Sequence, residues 1–248
     1  MTFSIVARDA ETGDLGIAVA SRFFACGAVV PYIGRRSAIA SQAFCNPIWG
    51  TEGRIRLDAG EPAESVLSDL VERDAAESLR QCHMVDENGN FATHTGAECT
   101  DWAGHTTGEE FSVAGNMLVG PEVIDAMAQT FRTQVHLPFA ERLLAAMQAG
   151  EAAGGDKRGR QAAALVIHRG EAHPWLDLRV DDHEGPLDEL ERLFAVAQER
   201  YLAFADAMAT SDDFSGLTDR KMLDDRIEKQ QERLRNEGQP SRSRATDR

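Results

Sequence analysis

Positive charge is scarce in this chain. Asp and Glu outnumber Lys and Arg by 41 to 26, giving a formal net charge of -15 and a pI of about 4.9. A surface this acidic repels phosphate backbones and anionic lipid, which argues against nucleic-acid and membrane partners. Aromatic residues are also few, at 6% of the chain, although 42% hydrophobic residues still supply a sizeable core. The four cysteines, Cys26, Cys45, Cys82 and Cys99, show no C-x-x-C spacing. They read as small buried hydrophobes, not as a zinc site or a disulfide framework. No apolar run reaches the roughly 18 residues of a membrane span, and no charged-then-apolar leader opens the chain. These absences lead us to expect a soluble cytoplasmic protein without a cofactor. At 248 residues, against about 150 per domain, one or two domains are expected.

What is present begins at the N-terminus. Phe3 to Ala7 are apolar or small, Asp9 to Asp14 carry turn chemistry, and Leu15 to Ala20 form a second apolar run. This predicts a β-hairpin starting at the second residue, with Ser21-Arg22 at its far end. Further strands are expected over Cys26 to Ile33 and Ser37 to Phe44, then a loop over Asn46 to Gly53. Val66, Leu67, Leu70 and Val71 make one helical face behind Pro62, so residues 62 to 73 are read as a helix. Asn88-Gly89 is a hairpin signal between strands at Arg80 to Val85 and Asn90 to His94. Trp102 to Thr107 and Phe111 to Val119 form another strand pair. Helices are predicted from Gly120 to Thr133 and over residues 138 to 150, strands at Ala162 to His168 and Trp175 to Val180, and a long helix over 186 to 210.

The early strands are joined by links too short for crossover helices, so a parallel sheet fits poorly. The order of strands, helices, strands and helix predicts an α+β fold. Its specific form would be a four-layer αββα sandwich of two mostly antiparallel sheets. The domain is expected to span residues 1–210. A thin polar helical extension over 211–235 and a disordered tail over 236–248 follow.

Four groups of residues carry possible chemistry. The first is Thr2 with Ser21 and Arg22. If Met1 is removed, Thr2 offers a hydroxyl nucleophile and a free α-amine in one residue. That amine, with a pKa of roughly 7.7–8.0, is suited to serve as the hydroxyl's general base. The second is the loop GGDKRGRQ, residues 154 to 161. It lacks Walker A spacing, and it places Asp156 and Arg158 either to fix each other or to hold a substrate carboxylate. The third is Asp181-Asp182-His183. No second His or Cys lies at ligand spacing, so a helix cap and salt-bridge cluster is preferred over a metal site. The fourth is a set of polar residues in apolar surroundings: Gln42, Asn46, His105 and Asn116. Asn116 or backbone amides are suited to hold an oxyanion, and each of the four has an ordinary structural use as well.

The chain resembles an uncharacterised bacterial family, domain of unknown function 1028, placed among the N-terminal-nucleophile (Ntn) hydrolases. The resemblance is carried by MTFSIVARDAETGDLGIAVASRFFACGAVVP at residues 1 to 31, SQAFCNP at 41 to 47 and WAGHTTG at 102 to 108. It continues through GNMLVGPEV at 115 to 123, GGDKRGRQAAALV at 154 to 166 and PWLDLRVDDH at 174 to 183. It implies the αββα fold and puts the superfamily's nucleophile on Thr2. The proteasome-like branch ends its second strand in Asp-Ser-Arg. Here Ala20-Ser21-Arg22 lacks the Asp, which argues against protease activity.

The resulting expectation is an amide-bond hydrolase for a small-molecule substrate, working as a homo-oligomer. Thr2 and Asn116 would be catalytic; Ser21, Arg22, Gln42, Asn46, Asp156 and Arg158 would bind substrate. The alternative is a catalytically silent binding or scaffold protein that keeps Met1.

Overall fold

The computed structural model describes residues 2–246, so Met1, on which the two readings of the N-terminus differ, lies outside the described residues. The chain divides into two compact units, residues 1–187 and 188–248. The first contains two antiparallel sheets. One has six strands in the order β10-β9-β2-β1-β8-β7, and the other has four in the order β3-β4-β5-β6. The strands are β1 (Thr2–Arg8), β2 (Leu15–Ser21), β3 (Pro31–Ile33), β4 (Ala38–Ala43), β5 (Arg80–Val85), β6 (Phe91–Thr95), β7 (Trp102–Gly108), β8 (Phe111–Leu118), β9 (Ala162–His168) and β10 (Leu176–Val180). Among the described residues there are seven α-helices: α1 (Pro47–Asp58), α2 (Ala63–Arg73), α3 (Glu122–Thr133) and α4 (Phe139–Ala152) in the first unit, α5 (Pro186–Glu199) starting at its end, and α6 (Tyr201–Ala205) and α7 (Arg220–Asn236) in the second.

The opening hairpin forms as expected. Phe3 stands opposite Ala20 and Arg8 opposite Leu15. The Asp9 carboxylate accepts hydrogen bonds from the Glu11 and Thr12 amides at 3.0 and 2.9 Å, an Asx turn that closes the loop locally. The Asn88-Gly89 hairpin also forms, with Gly89 at φ +80°, a conformation that glycine adopts without steric penalty.

β1 is central in its sheet and buried on both faces. Alternate residues point to opposite faces of a strand. Thr2, Ser4 and Val6 therefore face the four-stranded sheet, where Val6 joins Leu15, Ile17, Val19, Ile33, Ala40 and Val85 in one apolar cluster. Phe3 and Ile5 point the other way. α4 packs on that side of the large sheet, where its Leu143 comes close against Gly16 of β2. On the small sheet, Ile39, Cys82 and Met84 pack against Trp49 and Leu57 of α1 and Val66 and Leu70 of α2.

Three elements differ from the sequence expectation. Asn46 to Gly53 is not a loop, because Asn46 caps α1, its Oδ1 accepting from the Ile48 amide at 2.9 Å, and Pro47 opens the helix. The face of α1 turned to the sheet includes Gly50 and Gly53. A Cβ at Gly50 would lie 2.2 Å from Tyr32, and one at Gly53 2.8 Å from Ile39. Close approach has replaced the apolar stripe that announces a helix. Cys26 to Ile33 is a short 3₁₀ turn followed by β3. The helix read over 186 to 210 breaks at Arg200 into α5 and α6.

In the second unit, Asp219 caps α7 through the Lys221 and Met222 amides. Leu223, Ile227 and Leu234 form its buried stripe. Ser241 Oγ and the Arg242 amide both donate to Glu199, at 2.8 and 2.9 Å. No helix among the described residues is long and apolar enough to cross a membrane.

Candidate functional site

The alternation that turns Val6 toward the small sheet turns Thr2 and Ser4 the same way. Across the β1–β8 pairing, Thr2 stands opposite Asn116, Ser4 opposite Ala114 and Val6 opposite Ser112. From the small sheet, Gln42 of β4 and Gln81 and His83 of β5 point back into the same layer. The result is a buried polar patch between the sheets.

Gln81 is its hub. Its Oε1 accepts from Asn116 Nδ2 and from Gln42 Nε2, each at 2.9 Å. Its Nε2 donates to Thr95 Oγ1 at 2.9 Å and to the carbonyls of Gly115 and Gly104 at 2.8 and 3.1 Å. Gln42 Oε1 accepts from Ser4 Oγ at 2.7 Å. With the Ser4 proton committed there, His83 Nε2–H donates to Ser4 Oγ at 2.8 Å. His83 Nδ1 then accepts from Ser112 Oγ at 3.1 Å. Burial, reinforced by His105, pushes the His83 imidazole down to about 3. It is neutral at physiological pH, with both nitrogens engaged, so it orders the layer and is not available as a base for substrate.

Thr2 sits where this patch reaches the strand ends. It is 6% exposed, and its Oγ1 donates to Ser21 Oγ at 3.2 Å. Ser21 ends β2 beside it, and Asn116 lies on the other flank. Backbone strain collects at the same end. Asn116 is followed by Met117 at φ +54°, and Gln42 by Ala43 at φ +65°. Left-handed non-glycine residues cost roughly 1–3 kcal/mol each and persist where surrounding structure over-determines them, often at functional sites.

The GGDKRGRQ loop docks here despite its distance in sequence. The buried Asp156 carboxylate accepts from the Arg22 amide at 2.8 Å and from the Arg158 amide at 2.8 Å. It also pairs with the Arg158 guanidinium at 3.4 Å. Arg22 Nη1 donates to the Arg158 carbonyl, and Asp156 bridges to Leu118 at the end of β8. Asp156 thus joins the ends of the two strands that flank β1. Gly154, Gly155 and Gly159 all take positive φ, which explains the glycine density of the loop.

Of the expected site residues, Thr2, Ser21, Arg22, Asn116, Asp156 and Arg158 come together at these strand ends. Gln42 reaches them through Gln81. Asn46 does not, because its side chain caps α1 and donates to Asp74 Oδ2 at 2.8 Å. In the acidic cluster, His183 Nδ1 accepts from the Gly185 amide and Asp182 accepts from Gln161. Among the described residues, no three His, Cys, Asp or Glu side chains converge as metal ligands. Ser4, Gln81, His83 and Ser112 were not singled out from the sequence. Their signal was polar residues at alternate positions of strands that are otherwise apolar.

Comparison with known proteins relates the chain to a family model and to solved structures. A model described as "Family of unknown function (DUF1028)" matches residues 2–190. The crystal structure of protein SPO2555 from Silicibacter pomeroyi, titled with the same family model, is similar with a TM-score of 0.82. The two share 33% sequence identity, over 88% of this chain and 96% of that chain. No curated protein matches.

Proposed function

The chain belongs to the DUF1028 family, and from that premise we propose that it is an N-terminal-nucleophile hydrolase of small-molecule amides. The packing of α3 and α4 on the large sheet, and of α1 and α2 on the small one, supports an αββα sandwich of the Ntn type. The observation that carries the reading is the placement of Thr2. Its hydroxyl lies on a central, rigid strand end, 3.2 Å from Ser21 Oγ and flanked by Asn116.

In this mechanism, removal of Met1 frees the Thr2 amine. The amine takes the proton from Oγ1 as the oxygen attacks the substrate carbonyl. Asn116 Nδ2 and nearby backbone amides stabilise the oxyanion. Collapse expels the leaving amine, which takes up the proton, and leaves an acyl-enzyme ester that water hydrolyses. Arg22 and Arg158, held by Asp156, place positive charge at the rim of an otherwise acidic protein.

A second reading, a silent binding or scaffold protein retaining Met1, is favoured by one observation. Thr2 is only 6% exposed, and its hydroxyl is already engaged with Ser21.

Intact-mass spectrometry of untagged protein, followed by a screen of small amides and acyl-amino acids, separates the two readings. The hydrolase loses Met1, and Thr2→Ala abolishes turnover while Thr2→Ser retains part of it. Thr2→Val keeps the side-chain shape and should stay folded at the cost of the bond to Ser21, about 1 kcal/mol. An N-terminal extension should slow turnover by about 10²–10⁴-fold, the contribution of a general base. Wild-type turnover by Thr2→Ala would end the nucleophile reading.

A further inference from the structure

A cavity of about 670 Å³ lies at the opposite end of the large sheet from Thr2. It opens between the β1–β2 turn, the β7–β8 turn and the link from α3 to α4. β1 separates it from Thr2 by six residue steps, or about 20 Å at strand rise. Its volume falls in the range typical of small-ligand sites.

The charges around it are segregated by element. The helical side carries Arg132 and Arg142. Neither pairs with a carboxylate among the described residues, and each is held against a ring. Arg132 stands 5.6 Å from the Phe111 centroid and Arg142 3.8 Å from that of Phe131. Arg142 is fixed further by donating Nε to the Phe131 carbonyl at 2.6 Å. The hairpin side carries Glu11 and Glu109, which form no ion pair among the described residues. The acids beside them are engaged: Glu110 with Arg8 at 3.1 Å, and Asp9 in its turn through Oδ1, its charge also acting on Arg142. Val135, 68% exposed, adds apolar surface to the lining.

Pre-positioned guanidiniums recognise carboxylates through paired hydrogen bonds. A plain anion would meet Glu11 and Glu109, and a plain amine would meet the two arginines. Only a ligand carrying both charges suits both sides. We infer that this cavity is a second ligand site, independent of Thr2, which binds a zwitterionic apolar α-amino acid or dipeptide. The carboxylate lies on Arg132 and Arg142, the ammonium on Glu109 and Glu11, and the side chain on the apolar lining.

Isothermal titration of the full chain with L-phenylalanine and glycyl-L-phenylalanine tests this, with phenethylamine, 3-phenylpropanoate and inorganic phosphate as controls. At least one zwitterion should bind saturably, with all three controls on the order of tenfold or more weaker, the loss expected of a charged hydrogen-bonding partner. Arg132→Gln should weaken the zwitterion by a similar factor, Arg132→Lys by less and Glu109→Gln severalfold. Thr2→Ala should leave binding unchanged. Should Arg132→Gln fail to fold, Arg132→Lys and Glu109→Gln carry the test. The inference is overturned if neither zwitterion binds at millimolar concentration or if phenethylamine, 3-phenylpropanoate or phosphate binds as tightly. It is equally overturned if the Arg132 and Glu109 variants bind normally, or if Thr2→Ala removes binding.

Discussion

The layer between the two sheets has two unlike sides. Where β2 and β9 lie over β3 and β4, it is filled by Ile17, Val19, Ile33, Ala40, Ala164 and their neighbours. Where β1 and β8 lie over β5, it is filled by Ser4, Gln42, Gln81, His83, Ser112 and Asn116, all buried. Both sides are buried, and they are held by different physics. Apolar contact is non-directional, so its contribution follows area and volume. A buried amide network depends on donor and acceptor geometry, and one missing partner strands the others. The apolar side therefore supplies bulk stability. The polar side sets how the sheets register and so where Thr2 and Asn116 stand.

The sharpest way to break this contrast is a change that keeps shape and removes polarity. Gln81→Met is close to isosteric, yet it should destabilise by roughly 3–5 kcal/mol. It strands Asn116 Nδ2, Gln42 Nε2 and the Gly115 carbonyl, at about 1–3 kcal/mol for each buried group left unpaired. Denaturant titration gives the value, and a loss below 1 kcal/mol would mean that the network relaxes as freely as an apolar core.

Acid should find the polar side next. His83 is held near 3 in the folded protein against an ordinary value of 6.5. Above pH 6.5 both folded and unfolded states are neutral, and the native state carries no penalty. As pH falls from 6.5 toward 3 the unfolded chain binds the proton first, so stability falls. At pH 5 the loss relative to pH 7 is about 2 kcal/mol. Burial also lowers His105 and His168, which adds to the slope in the same direction. Comparing unfolding free energies of wild type and His83→Gln across this window isolates the His83 share. Parallel pH profiles would show that the imidazole is not the titrating group.

The smallest effect belongs to the apolar side. Ile17→Val, which removes one methylene from a fully buried position, should cost about 0.5–1.5 kcal/mol. It should leave the pH profile unchanged, because no donor or acceptor is disturbed. A shift in the acid midpoint would show that the two sides are coupled.

The parts of this architecture that rest on neighbouring residues could be read in advance. Asp9 closes its turn on Glu11 and Thr12, Gly89 supplies the positive φ of its hairpin, and Val66, Leu67 and Leu70 mark α2 by spacing. Each signal lies within a few residues of the structure it produces. α1 escaped because its buried face includes glycines, whose value appears only beside Tyr32 and Ile39. Gln81 escaped because nothing near it in sequence shows that Gln42, Thr95 and Asn116 will meet it.

The strand that carries Thr2, the hairpin behind it and the positive-φ glycines of the loop were therefore determined by the sequence itself, through local turn chemistry and strand alternation. The tertiary structure alone decided three further things. Asp156 ties Arg22 to Leu118 across the strand ends, Asn46 belongs to a helix cap and not to the site, and the polar side of the layer centres on Gln81. The Asn46 cap on Ile48 is itself local; the physical reason for the rest is that they are hydrogen bonds between segments tens of residues apart. Their partners are selected by how two sheets stack, a choice that propensity and periodicity within one segment cannot encode.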